Sequence, residues 1–255
     1  MIEIHHLNCG IIESPLGRAA CHCLAIEHDG RIALVDAGIG LADCKAPETR
    51  LGAELIKLAG FRFDESMTAL RQLQSMNING DQVTDIVLTH ADPDHAGGLA
   101  DFPNANVHIA VEELHALESG AIRYCPTQFE HEPKFVVHSE SDESWQGHPA
   151  RSIEVCNGLP LYLIELFGHT LGHCGVIIER NDATTMFHVG DAYYLRGELD
   201  DPHHPVTELA EARVENYEQR LASLDVIRNI RTKLGDKITM TGYHDLSEFE
   251  ALAMR

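Results

Sequence analysis

The segment Thr89-His90-Ala91-Asp92-Pro93-Asp94-His95-Ala96-Gly97-Gly98 places four imidazole or carboxylate groups within six residues. Imidazole nitrogen and carboxylate oxygen are the common protein ligands of divalent metals. In an extended or turning backbone alternate side chains project to one side, so His90 and Asp92 can meet one ion. Asp94 and His95, past the bend at Pro93, can meet a second. Gly97 and Gly98 let the chain turn closely into the next segment. Two neighbouring ions can bridge a hydroxide, polarise a carbonyl or phosphoryl oxygen and stabilise the charge that develops on attack, so hydrolysis needs no side-chain nucleophile. No G-x-S-x-G elbow offers a serine triad instead.

Ligands work only if strands deliver them to one place. Asp85 to Thr89 is a short apolar run that breaks into the polar segment His90 to Gly98. Leu161 to Phe167 runs in the same way into Gly168-His169-Thr170, and Thr185 to Val189 into Gly190-Asp191. Each unit delivers a His or Asp at a strand end, where side chains can converge on a common sheet edge. Upstream, Ala19 to Glu27, a turn at His28-Asp29-Gly30 and Ile32 to Val35, running into Asp36-Ala37-Gly38, form a β-hairpin signature. Apolar spacing predicts helices from Thr49 to about Leu58, from Ser66 to Met76 with Met67, Leu70 and Leu73 on one face, and from about Thr207, as N-cap, to Leu234. Asn79-Gly80 reads as a turn, residues 139 to 151 with Trp145 as a loop or hairpin near the surface, and residues 198 to 206 with His203 and His204 as an irregular loop. No internal repeat interrupts this pattern, and strand-rich halves with helices between them suggest two stacked sheets sandwiched by helices.

Composition narrows the function. With 44% hydrophobic and 23% charged residues and no linker-like stretch, the chain reads as one globular domain over residues 1–255. The start, MIEIHHLNCG, lacks a basic, apolar leader, and no apolar run is long enough to span a bilayer, so the expectation is a cytoplasmic enzyme without a membrane partner. Seven cysteines without a C-x-x-C pair argue against a disulfide framework and a structural zinc knuckle. A formal charge of -21 repels polyanions, which disfavours nucleic acid as a partner. Seventeen histidines point instead to metal ligation or proton transfer.

The 89–98 segment resembles the H-x-H-x-D-H-x-G-G signature of the metallo-β-lactamase superfamily. The resemblance continues in order through Asp36-Ala37-Gly38, Gly168-His169-Thr170 with Gly172-His173, Gly190-Asp191 and Gly242-Tyr243-His244-Asp245. It implies an α+β fold, a four-layer αββα sandwich with metals at one edge of the paired sheets. Carried over position by position, it puts His90, Asp92 and His169 on a first metal and Asp94, His95 and His244 on a second, with Asp191 bridging. Asp92 stands where most members of the family have histidine. The alternative for Asp92 is a carboxylate that orients a histidine from behind. Three ligand carboxylates against two divalent ions leave one positive charge, which shifts preference from zinc toward manganese or iron. Zinc stays the first expectation for the two ions. Asp36 would support the ligands, and His173 would pack or hydrogen-bond nearby.

Two further features bear on the reaction. Asp94 or Asp191 can carry the proton to a leaving group. The Asp191-x-x-Tyr194 spacing resembles that of acyl-homoserine lactonases in the superfamily, which implies that Tyr194 donates a hydrogen bond to an ester oxygen; the plainer role is an aromatic packed after a buried strand. A near-neutral centre on an acidic protein suits a neutral ester, lactone or thioester, with lactone first. The alternatives are a diiron oxidoreductase of the same fold, because its diiron members also carry a carboxylate at position 92, and a ligand sensor that binds metal without catalysis.

Overall fold

Several strands are apolar on both faces because both faces are covered. In the computed structural model, which describes residues 2–14, 16–139, 143–180 and 182–254, Leu24, Ile26, Ala33, Val35 and Val87 meet Leu161, Leu163, Val176 and Ile178 across the gap between two sheets. The alternate residues of the first sheet, Cys23, Ala25, Leu34, Ile86 and Ile109, face away and pack against Ala69, Leu73, Leu99 and Phe102. Those of the second sheet, Ile164, Ile177 and Phe187, pack against Leu224, Ile227 and Ile230 of the helix Tyr217–Leu234. Period-two alternation with helices outside each sheet yields the four layers, αββα.

The first sheet comprises β1 (Glu3–Ser14), β2 (Gly17–His28), β3 (Arg31–Val35), β4 (Phe61–Arg62), β5 (Val83–Val87), β6 (Asn106–Ala110) and β7 (Lys134–His138), in the order β4-β1-β2-β3-β5-β6-β7. The second comprises β8 (Ser144–Trp145), β9 (His148–Val155), β10 (Leu159–Glu165), β11 (Cys174–Glu179), β12 (Thr185–His188) and β13 (Ile238–Thr241), in the order β13-β12-β11-β10-β9-β8. β2 and β3 form the expected hairpin, with Asp29 and Gly30 at φ of 49° and 72° in its turn. β3, β5 and β6 run parallel, as do β12 and β13. Their carboxyl ends therefore open on the same side, where α/β sheets bind ligands.

Three expected helices are cut shorter, each by an identifiable residue. Gly52, at φ 84°, splits the first into Pro47–Leu51 and Ala53–Ala59. Thr68 caps Ala69–Ser75 through the backbone N–H of Arg71 and separates it from the 3-10 turn Glu65–Met67. The helix expected from Thr207 to Leu234 is two, Val206–Glu211 and Tyr217–Leu234, and the second starts at Asn216, whose side chain accepts from the Gln219 N–H. The break docks on the site: Glu215 and Asn216 N–H groups both donate to the Gly168 carbonyl, 3.0 Å away. Asn79 and Gly80 start a capped 3-10 turn rather than an open one. Within residues 139 to 151, of which 140–142 lie outside the described residues, β8 and β9 do form a hairpin. Trp145 is buried there, not surface-lying, and its indole N–H donates to Glu179 at 2.9 Å.

All seven cysteines are free thiols, and six are buried. Among the described residues no helix is long and apolar enough to cross a membrane.

Candidate metal centre

The seven expected ligands converge beyond the strand ends. His90 and Asp92 follow β5, and Asp92 precedes the single-turn helix Pro93–Ala96 that carries Asp94 and His95. Asp92 holds the N-cap position but makes no cap hydrogen bond, because its carboxylate turns into the site. His169 follows β10, Asp191 follows β12 and His244 follows β13. The apposed atoms form overlapping triads: His90 with Asp92 and His169, Asp94 with His95 and His244, and His90 with His95 and Asp191.

A tetrahedral ion bonded at about 2.05 Å needs ligand atoms about 3.3 Å apart. Asp92 Oδ2 lies 3.4 Å from His90 Nε2 and 3.1 Å from His169 Nε2. His95 Nε2 lies 3.9 Å from Asp94 Oδ2 and 3.4 Å from Asp191 Oδ1, and His244 Nε2 lies 3.6 Å from Asp94 Oδ2 and 3.1 Å from Asp191 Oδ2. Asp191 Oδ2 is also 3.5 Å from His169 Nε2, so this one carboxylate faces both groups. His90 Nε2, His95 Nε2 and Asp191 Oδ1 are buried without any hydrogen-bond partner. Buried polar atoms without partners are costly, and a cation would satisfy all three. The residues fit a divalent ion at each group.

For His95, His90 and His244 the opposite ring nitrogen is held from behind, as is usual for metal-binding imidazoles, whereas His169 Nδ1 is buried without a partner. His95 Nδ1 meets Asp36 Oδ2 at 2.9 Å, His90 Nδ1 meets Thr89 Oγ1 at 3.0 Å, and His244 Nδ1 meets the Ala20 carbonyl at 2.9 Å. Asp36, in the left-handed region at φ 58°, also accepts the Thr89 N–H and hydroxyl, so one carboxylate sets two ligand side chains. His173 is no ligand: its Nε2 accepts the Asp191 N–H at 2.9 Å and its Nδ1 meets the Leu166 carbonyl. Gly97 and Gly98 are needed for close approach rather than for a special φ. A Cβ on Gly98 would stand 2.3 Å from the Ala37 carbonyl oxygen, and one on Gly97 2.2 Å from Asp43 Oδ2.

Charges in the site are strongly coupled. Burial alone would push the Asp92 carboxyl up, but the Arg123 hydrogen bonds and the His90 charge hold it well below the usual range. Burial likewise works against Asp191, and the neighbouring His244 and His95 pull it well down. For Asp94 burial prevails and its carboxyl is pushed up. Burial opposes a charged His95, yet Asp36, Asp191 and Asp94 drive it well above its ordinary value.

Tyr194 sits half-buried with its ring edge-on to His244 and His169, at centroid distances of 5.2 and 5.9 Å. Burial, then Asp191, pushes its phenol well up. Its backbone N–H donates to Glu198 at 2.8 Å, and Glu198 in turn forms a buried ion pair with Arg220. His204 stays at the 198–206 turn, where its Nδ1 accepts the Val206 N–H, and His203 is exposed.

Two residues of the site are not foreseen from the sequence. Glu113, fully buried, accepts from Ala91 N–H, Tyr124 Oη, Thr170 Oγ1 and Gly172 N–H, and so ties the His90 loop to the His169 loop. The glycine at 172 has a reason here, since a Cβ would stand 2.1 Å from the Glu113 nitrogen. Arg123 grips both oxygens of Asp92, Nε to Oδ1 at 2.7 Å and Nη2 to Oδ2 at 2.6 Å. Neither lies in a motif. The one signal for Arg123 is indirect: an aspartate in place of a neutral histidine calls for a compensating cation somewhere in the chain.

Comparison with known proteins bears on the family and the fold. The family model described as "Metallo-beta-lactamase superfamily" matches residues 16–187. The chain belongs to the metallo-β-lactamase superfamily. It is 36% identical over 205 residues to a probable metallo-hydrolase of Mycobacterium bovis, a match that covers 78% of this chain and 65% of that relative, just under two thirds of its length. Among solved structures, a variant of the Bacillus thuringiensis protein AiiA with N-decanoyl-L-homoserine at its active site superposes with a TM-score of 0.75 at 18% identity, over 97% of this chain and 95% of that one. AidC, a dizinc quorum-quenching lactonase in complex with a homoserine product, superposes with a TM-score of 0.59 at 19% identity, over 90% and 74%. At these identities the structural matches establish the shared fold.

Proposed function

We propose that this chain is a metal-dependent hydrolase that holds two divalent ions and cleaves a neutral lactone or ester. The observation that carries the reading is the set of buried, partnerless atoms, His90 Nε2, His95 Nε2 and Asp191 Oδ1, inside a ring of further carboxylates and imidazoles. His90, Asp92 and His169 would hold one ion, Asp94, His95 and His244 the other, with Asp191 between them. Such ions, when bound, polarise a substrate carbonyl and activate water.

The chain's own residues do the rest. Asp36, Thr89 and Ala20 fix the His95, His90 and His244 rings so that Nε2 points inward. Tyr194, placed between His169 and His244, donates its phenolic hydrogen to the ester oxygen of the substrate. Asp94 and Asp191 are the carboxylates near enough to pass a proton to the leaving alkoxide. Arg123 returns the positive charge that Asp92 removes, so the preference for iron or manganese lapses and zinc is the metal of this reading. The acidic chain, the homoserine-bound neighbour of the same fold and the Tyr194 position together support a small neutral lactone. Residues 1–255 act as one domain in this reading, because the ligands come from positions 90 to 244.

The test is metal content by elemental analysis of protein purified without added metal, with hydrolysis of a panel of lactones, esters and thioesters before and after chelation. Zinc together with chelator-sensitive lactone turnover is expected. Protein that binds no metal, or that binds metal and hydrolyses nothing on the panel, refutes the proposal.

A further inference from the structure

The two groups of ligand atoms differ in what already occupies them. At the second, His95 Nε2 and Asp191 Oδ1 meet no donor, and the contact of His244 Nε2 with Asp191 Oδ2 at 3.1 Å joins two of the ligands themselves, with no outside cation. At the first, a protein cation is present. Arg123 Nη2 lies 2.6 Å from Asp92 Oδ2 and 3.1 Å from His169 Nε2, on the inward atoms of two of the three ligands. Because a guanidinium can only donate, it takes the lone pairs that a metal would need. The rest of Arg123 is anchored: Nε on Asp92 Oδ1 at 2.7 Å, Nη1 on the His169 carbonyl at 2.9 Å and the Arg213 carbonyl at 3.5 Å, and Nη1 beside Glu215 at 3.4 Å. Glu215 is itself tied to the His169 loop through the Leu171 N–H.

We infer that Arg123 is an internal competitor for the first metal position, so that the two ions load in order and with unequal affinity. An ion bonded to Asp92 Oδ2 and His169 Nε2 would sit about 2.0–2.2 Å from each, within contact of Nη2. Two like charges that close repel strongly in a buried site. Nη2 must therefore withdraw, giving up its bond to His169 and half of its fork on Asp92, before the first position fills. Asp94, His95, Asp191 and His244 impose no such step and fill first. The bond from Nε to Asp92 Oδ1 does not lie on the inward side, so Arg123 can remain attached as Asp92 turns to the metal. Activity would then depend on metal concentration in the range where the first position titrates. This inference rests on the metal-centre reading above and adds an order to it.

The experiment is a titration of chelator-stripped protein with zinc against a chromophoric competitor, on wild type, Arg123→Met and Arg123→Lys, with circular dichroism to show that each variant is folded. Wild type should bind one equivalent tightly and a second at least a hundredfold more weakly. Arg123→Met should tighten the second equivalent at least tenfold and leave the first unchanged, with Arg123→Lys, a charge without the planar fork, in between. Two equal steps in wild type, or a second step unchanged or weakened in Arg123→Met, would overturn the inference. If Arg123→Met does not fold, the wild-type steps and Arg123→Lys decide. Absence of any binding in wild type would instead sink the metal centre itself, and ordered binding without hydrolysis would leave this inference standing while ending the enzymatic one.

Discussion

Replacing Glu113 by glutamine should loosen the first group of ligands while leaving the second alone. Oε1 accepts the Ala91 N–H at 2.8 Å and the Tyr124 hydroxyl at 2.9 Å; Oε2 accepts the Thr170 hydroxyl at 2.5 Å and the Gly172 N–H at 3.2 Å. Each oxygen accepts one backbone N–H, a group that can only donate, although burial pushes the carboxyl up. In Glu113→Gln one oxygen becomes an NH2 group facing one hydroxyl and one backbone N–H. The hydroxyl can rotate to accept, but the backbone N–H cannot, and a buried donor is left without a partner. That costs about 1–3 kcal/mol, and with the weakening of the charge-assisted bonds the total is about 3 kcal/mol. For a chain of this length the melting temperature should fall by about 6–12 °C. His90 and His169 flank the tethered residues, so affinity of the first metal position should drop about 10–100-fold, as for other groups that orient ligands from behind. Differential scanning calorimetry and the zinc titration measure both effects. A melting temperature within about 2 °C of wild type, or equal loss at both positions, would refute the tether.

Tyr194→Phe keeps the ring and removes only the hydroxyl; kcat/KM on a lactone should fall about 10–100-fold with metal content unchanged, and an unchanged kcat/KM would make Tyr194 a packing residue. Zinc at about 100 times its Kd should stabilise the stripped protein by about 2.7 kcal/mol, seen as a rise in melting temperature that Asp191→Asn diminishes; a flat response would contradict the fit of the site. Arg220→Met leaves buried Glu198 without its ion-pair partner and should cost about 3–5 kcal/mol by denaturant unfolding, with Tyr194 displaced through its backbone bond to Glu198; a loss below about 1 kcal/mol would show the pair to be dispensable. Burial would raise the Asp85 carboxyl, but the His108 ring, the Cys156 N–H and the Thr84 hydroxyl bring it down to about 2. A depressed carboxylate stabilises the fold above its unfolded value, near 3.8, and loses that contribution as pH falls through about 2. Asp85→Asn should therefore be about 2 kcal/mol less stable near neutral pH, with the gap closing between about pH 4 and 2; a constant gap in urea unfolding would exclude this linkage.

The ligand set was legible because it is written locally and in order. His90, Asp92, Asp94 and His95 share one short segment, His169 and Asp191 each follow an apolar strand whose end is marked by a glycine, and His244 lies in the Gly242-Tyr243-His244-Asp245 block that the family resemblance picks out. Strand-rich halves with helices between them suggested two stacked sheets sandwiched by helices, and the family resemblance implied the αββα layers. Helix limits were less legible: Gly52, Thr68 and Asn216 each outweigh apolar spacing through one backbone conformation or one cap. Trp145 looked like a loop residue because its neighbours are polar, and only the second sheet reveals the apolar surface that buries it.

What tertiary structure alone decided is which charges face which ligands. Glu113 sits on the helix Val111–Glu118, and its donors come from positions 91, 124, 170 and 172. Arg123 and Asp92 are 31 residues apart, and no periodicity or motif links them. A sequence records strongly the residues whose type is dictated by a strand end or a turn. It records hardly at all the pairing of a buried charge with its counter-charge, because any cation on any passing segment could meet that need, and packing selects one.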